Sequence, residues 1–97
     1  LNLTPQAGHE QVGHRSALVL SPRAYNKKTN LMVCCLMTTQ IKNYPFEVQI
    51  ASTMPSTVVL ADQIKSLDWR VRRATRKGAA SADELAEVRA KIFALIG

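Results

Sequence analysis

The strongest constraint on this chain lies at its end. Ser81-Ala82-Asp83-Glu84 spells a capping box: the Ser81 hydroxyl takes an amide three residues on, and Glu84 reaches back. Leu85, Val88, Ile92 and Leu95 then recur at helical spacing and give one apolar face. Asp83, Glu84 and Glu87 come early and Arg89 and Lys91 later, an order that suits the helix dipole. A helix with one apolar stripe needs a surface to cover, and the residues before it supply strands. Residues 16–21 are a short apolar run closed by Pro22. Residues 31–39 are apolar almost throughout until Thr38-Thr39. Residues 46–50 alternate as a half-buried strand does, and 57–61 are rich in β-branched side chains. Between these, residues 5–15 read as a polar, glycine-punctuated loop, 25–30 as a polar turn and 52–56 as a turn containing Pro55. The stretch 62–77 is less regular and has room for a short helical turn and one more strand. The expectation is one domain, 1–97, mainly β with a C-terminal helix: a small, partly open antiparallel barrel.

Charge and cysteine use narrow the function classes. Lys and Arg outnumber Asp and Glu by 13 to 7, a net +6 that favours a polyanionic partner, nucleic acid or an acidic protein tail. A domain of this size buries a modest core, so a second copy or a partner is expected to cover part of its apolar surface. Cys34 and Cys35 are adjacent and point to opposite faces of an extended strand, which argues against a bridge between them and for a reducing cytosol. No apolar run approaches membrane-spanning length, and no signal-peptide pattern opens the sequence. His9 and His14 are five apart in a loop, far from the cysteines, so no metal-ligand spacing occurs. No phosphate-binding glycine motif or nucleophile elbow is present, and no cofactor is expected.

Three groups can carry chemistry. Arg15 stands where the glycine loop runs into a strand, a place from which a guanidinium can hold a phosphate with two hydrogen bonds. Glu10, in the same loop, can orient Arg15 or accept a proton; a plain surface pair between them is the other reading. Thr38 and Thr39 end an apolar strand, so their hydroxyls emerge at a surface lip. The densest basic stretch, residues 69–77, alternates Arg70 and Arg72 against Trp69, Val71 and Arg73 and continues to Arg76; Lys42, Lys65 and Tyr44 extend it. Such a strip can track a phosphate backbone. Trp69 belongs in the core of so small a domain, with base stacking as the alternative.

Segments in this order resemble the MazF/PemK family of toxin ribonucleases. They are residues 8–22, Thr38-Thr39-Gln40, the run Lys42-Asn43-Tyr44-Pro45-Phe46-Glu47-Val48, residues 59–70 and the closing residues 91–97. The likeness runs nearly end to end with the family's spacing. It implies an SH3-like barrel of the CcdB/PemK type, a homodimer, and a MazE-like antitoxin that silences it. It also implies ribosome-independent, sequence-specific cleavage of single-stranded mRNA by 2′-OH attack, leaving cyclic phosphate and 5′-OH ends without a metal. The family's catalytic Arg falls on Arg15, its catalytic Thr on Thr38 and a supporting acidic residue on Glu10, with His14 a second candidate for proton transfer. Lys42, Lys65, Arg70, Arg72 and Arg76 are the expected RNA contacts.

The sequence departs from the pattern in places. Ser16 stands where a Pro is usual, Asn30 replaces a turn Gly, and Leu36-Met37 precede Thr38 where a Pro often sits. The family's opening strand usually begins before the point matching Leu1, so an N-terminally shortened domain is expected. A catalytically dead, binding-only homologue and a CcdB-like gyrase poison remain the alternatives to a nuclease.

Overall fold

The computed structural model describes residues 8–12, 15–51, 56–70, 75–76 and 79–97, with side chains for 16–51, 56–70 and 79–97. In chain order they form β1 (Gly8–Val12), β2 (Arg15–Val19), α1 (Arg23–Thr29), β3 (Leu31–Thr38), β4 (Glu47–Ile50), β5 (Thr57–Asp68), β6 (Thr75–Arg76) and α2 (Ala82–Ile96). Among the described residues the strands make one antiparallel sheet in the order β4-β5-β3-β2-β1-β6. This is the expected mainly β architecture with a C-terminal helix.

The sheet bends where β3 and β5 change register. Cys35 pairs with Ile64 but Met37 pairs with Val59, so one residue of β3, Leu36, faces four of β5, residues 60–63. Extra residues on one strand bend it and increase its twist. The first part of β5 therefore pairs with both β4 and the end of β3, while its later part follows the beginning of β3.

Each face of the sheet has its own core, and the adjacent cysteines divide between them as strand alternation requires. Leu18, Cys35, Met37, Val48, Ile50, Val59 and Ala61 pack with Leu85 and Val88 of α2 on one face. Ala17, Val19, Met32 and Cys34 pack with Leu67 and Trp69 on the other. Trp69 is thus a packing residue, and its Nε1 donates to the Asn26 carbonyl at 2.8 Å.

The capping box forms as read: Glu84 N donates to Ser81 Oγ at 3.1 Å, and Ser81 N donates to a Glu84 carboxylate oxygen at 2.8 Å. The other Glu84 oxygen accepts from Ala51 N at 2.8 Å, tying the start of α2 to the end of β4. Leu85 and Val88 are buried and Ile92 half-buried, but Leu95 is exposed, so the apolar face runs past the sheet it covers.

Four expectations are corrected. The polar segment 5–15 contains β1, paired with β2 from Gly8↔Val19 to Val12↔Arg15, so only Gly13 and His14 separate the two strands. The turn expected over 25–30 is α1. It follows Pro22, holds the buried Asn26 against Ser21, carries Lys27 and Lys28 in its last turn, and ends on Asn30 in the left-handed region (φ 60°). The strand expected over 57–61 runs on to Asp68 with no helical turn over 62–68. Strand β2 begins at Arg15 itself and ends at Val19. The expected turn at 52–56 lies outside the described residues except for Ser56, as do Leu1-Asn2-Leu3 and His14.

Candidate active site

The sheet register, more than any single contact, defines the site. Glu10 pairs with Ala17 of β2 on one side and with Arg76 of β6 on the other. Ala17 pairs in turn with Leu36 of β3. Arg15 lies two residues before Ala17, and Thr38 two residues after Leu36. The β2–β3 ladder runs from Val19↔Cys34 to Ala17↔Leu36, so Arg15 and Thr38 each lie two residues beyond its last pair, at the same end of the two strands. Four sequence candidates, Thr38, Arg15, Glu10 and Arg76, therefore stand on the successive neighbouring strands β3, β2, β1 and β6.

Thr38 is half-buried at the end of β3, opposite Val58. Its Oγ1 accepts from Gln40 N at 3.1 Å, which fixes the turn out of the strand and leaves the hydroxyl proton available to a ligand. Thr38 and Thr39 line an open groove of about 980 Å³, together with Ser16, Leu36 and Lys42.

The far wall of the groove is the segment between β3 and β4, whose residues 39–45 are all exposed. Exposed connections are ordinarily loosely held, but this one is tied at several points. Both Glu47 carboxylate oxygens accept from its backbone, one from Lys42 N at 3.0 Å and the other from Tyr44 N at 3.3 Å. The Tyr44 hydroxyl donates to Asp62 Oδ2 at 2.5 Å across to β5. This bond to a carboxylate holds the Tyr44 phenol above its ordinary pKa. Lys91 of α2 reaches the Pro45 carbonyl at 2.6 Å, and Asn43 takes the left-handed conformation (φ 58°). Of this wall the sequence singles out Thr39, Lys42 and Tyr44, but not the carboxylates that hold it. Asp62 lies in the four-residue stretch of β5 opposite Leu36, and Glu47 reads as an outward strand residue.

The remaining basic candidates are dispersed. Lys65 is exposed on β5, paired with Cys34, and Arg70 is exposed in the turn after β5, its N–H donating to Asp68 Oδ1 at 3.0 Å. Neither lines the groove. Arg72 and His14 lie outside the described residues.

Comparison with known proteins gives this arrangement a lineage. The model of a family described as PemK-like, MazF-like toxin of type II toxin–antitoxin system matches residues 1–96. The endoribonuclease toxin MazF of Escherichia coli (strain K12) is 50% identical over 97 residues, 100% of this chain and 87% of that protein. Among solved structures, MazE–MazF from Deinococcus radiodurans superposes with a TM-score of 0.88 at 51% identity, covering 94% of this chain and 93% of that one. An endoribonuclease from a mycobacterial species keeps the fold at 19% identity, with a TM-score of 0.82 over 100% of this chain and 94% of that one. Shared fold and shared sequence lead to one conclusion: the chain belongs to the PemK-like, MazF-like toxins of type II toxin–antitoxin systems.

Proposed function

We propose that this protein is a toxin endoribonuclease that cuts single-stranded mRNA at short sequence motifs, without the ribosome and without a metal. The observation that supports the reading is that Glu10, Arg15 and Thr38 stand on the successive neighbouring strands β1, β2 and β3, with Thr38 lining an open groove. Internal attack on an RNA phosphate needs a proton acceptor, a proton donor, and positive charge or hydrogen-bond donors around the crowded phosphorus. Arg15 is the charge: its guanidinium stays protonated and offers a planar pair of donors to two phosphate oxygens. Thr38 adds a hydroxyl donor.

Because a guanidinium is a poor base, the proton of the 2′-OH goes to Glu10 or His14. The 2′-oxygen then bonds to phosphorus as the P–O5′ bond breaks, and the departing oxygen takes up a proton. The products are a 2′,3′-cyclic phosphate and a free 5′-OH. Lys42 on the groove holds the flanking backbone by charge, with Arg76, Arg70, Arg72 and Lys65 as further contacts.

The partners follow from the same surface. A MazE-like antitoxin with an acidic segment would occupy the basic site and exclude RNA, and a second copy of the chain would complete a homodimer. The working compartment is the cytoplasm, where mRNA and free thiols coexist.

The test is cleavage of a mixed-sequence single-stranded RNA in excess EDTA, with analysis of the product ends. Cutting that persists in EDTA, leaves cyclic phosphate ends and stops when the nucleotide 5′ of the cut is 2′-deoxy supports the proposal. A folded protein that binds an acidic antitoxin peptide and leaves RNA intact would establish the binding-only alternative instead.

A further inference from the structure

We propose that Tyr44 is the platform on which one nucleobase of the RNA stacks, and that Asp62 is the positioning residue that fixes its ring. The inference rests on the nuclease reading and assigns a specificity element to the groove wall opposite Thr38.

Three observations carry it. First, the Tyr44 ring is held at both ends although the residue is 45% exposed. Its hydroxyl donates to Asp62, and its ring packs obliquely on Phe46 at a centroid distance of 5.8 Å and an interplanar angle of 46°. Phe46 itself packs against the main core. An aromatic side chain left free at a surface would sample rotamers; this one presents an ordered, accessible ring to the groove. Second, the backbone that carries the ring is clamped by Glu47 through Lys42 N and Tyr44 N, and by Lys91 through the Pro45 carbonyl. A binding surface fixed in advance loses less freedom on binding. Third, charge beside the ring is near balance among the described residues: the Glu47 and Asp62 carboxylates stand with Lys42 on the groove and with Lys91, whose ammonium is held by the Pro45 carbonyl. A neutral, flat base suits such a wall, and single-stranded RNA is read by stacking unstacked bases on aromatic rings and hydrogen-bonding their edges. Gln40 and Asn43 line the same groove and supply side-chain amides able to meet a base edge.

The test measures binding of a labelled, all-2′-O-methyl copy of a cleaved RNA sequence, which cannot be cut, alongside kcat and KM on the cleavable RNA. In the wild type, an abasic nucleotide at one position near the cut weakens binding about tenfold, within the range for one base–aromatic stack. Tyr44→Ala weakens binding by a similar factor, raises KM with kcat little changed, and becomes indifferent to the same abasic substitution. Tyr44→Phe and Asp62→Ala each free the ring and produce equal, smaller losses that do not add in the double variant. Asp62→Asn keeps a carbonyl oxygen for the Tyr44 hydroxyl and restores binding. If no abasic position costs the wild type more than twofold, the platform does not exist, whatever the variants do. Tyr44→Ala that cuts with unchanged KM and unchanged position preference overturns the platform but leaves the nuclease reading standing. A folded wild type that neither binds nor cuts RNA overturns both.

Discussion

Replacing Glu84 with Ala is expected to destabilise the domain more than removing its capping partner Ser81. One Glu84 oxygen closes the capping box on Ser81 N, and the other takes the Ala51 amide at the end of β4, each at 2.8 Å. Hydrogen bonds to a charged acceptor are the stronger kind, and the carboxylate also sits at the positive end of α2. With exposure weakening each bond, the loss sums to about 2 kcal/mol. Ser81→Ala removes one neutral acceptor from Glu84 N and leaves both carboxylate bonds possible, for a loss of about 1 kcal/mol. For a domain of this length, 2 kcal/mol lowers the melting temperature by about 8–16 °C. Thermal melts followed by circular dichroism, with urea titrations for the free energies, measure both variants. A Glu84→Ala melt within 3 °C of wild type, or a larger loss for Ser81→Ala, would refute the reasoning that this carboxylate joins α2 to the sheet.

Two further outcomes follow from single residues. Burial pushes the Cys35 thiol up to about 12, with Cys34 and Asp62 adding to the shift, from an ordinary value of 9.0. The folded state thus holds the neutral thiol, so this stability is present in full below about pH 9 and is lost as pH rises toward about 12. Cys35→Ala should flatten that alkaline slope in urea titrations, and iodoacetamide at pH 8.5 should label neither thiol until the protein is unfolded. Asn30 ends α1 in the left-handed region, where a Cβ is penalised. Asn30→Ala should therefore cost about 1 kcal/mol and Asn30→Gly almost nothing, read from the same titrations.

What could be read from the sequence depended on whether burial imposes a period. Strand β4 was plain because Val48 and Ile50 face the core while Gln49 faces out. The helix α2 was plain because a capping box and an apolar stripe agree. Strand β1 reads as loop because its residues are polar, and its pairing becomes apparent only once β2 is in place beside it. Helix α1 has seven residues, too few for periodicity to decide. It is held by the buried Ser21–Asn26 pair and the Trp69 bond, which are tertiary facts. The later half of β5 exposes residues 63–66 in succession, so no alternation announced it. Leu95 fits the helical stripe yet lies beyond the sheet, which spacing alone does not reveal.

The candidate site divides in the same way. Arg15, Thr38 and Glu10 are legible through residue type, place and family likeness, and the strand order sets β1, β2 and β3, which carry them, side by side. The Tyr44–Asp62 bond joins residues eighteen apart and depends on the extra residues of β5 opposite Leu36. Nothing in local sequence signals such a displacement. The basic strip read from residues 69–77 treated charge density as location, whereas Arg70 and Lys65 lie off the groove that Lys42 lines.

The central claim is that Arg15 and Thr38, on the neighbouring strands β2 and β3, act together on one RNA phosphate. Single-turnover cleavage of one RNA by wild type, Arg15→Ala, Thr38→Val and the double variant tests it most directly, with each protein's fold checked by melting. The account predicts a rate loss of about a hundredfold or more for Arg15→Ala, a smaller loss for Thr38→Val, and a double variant little slower than Arg15→Ala alone. Full activity in folded Arg15→Ala, or losses that multiply independently, would contradict it.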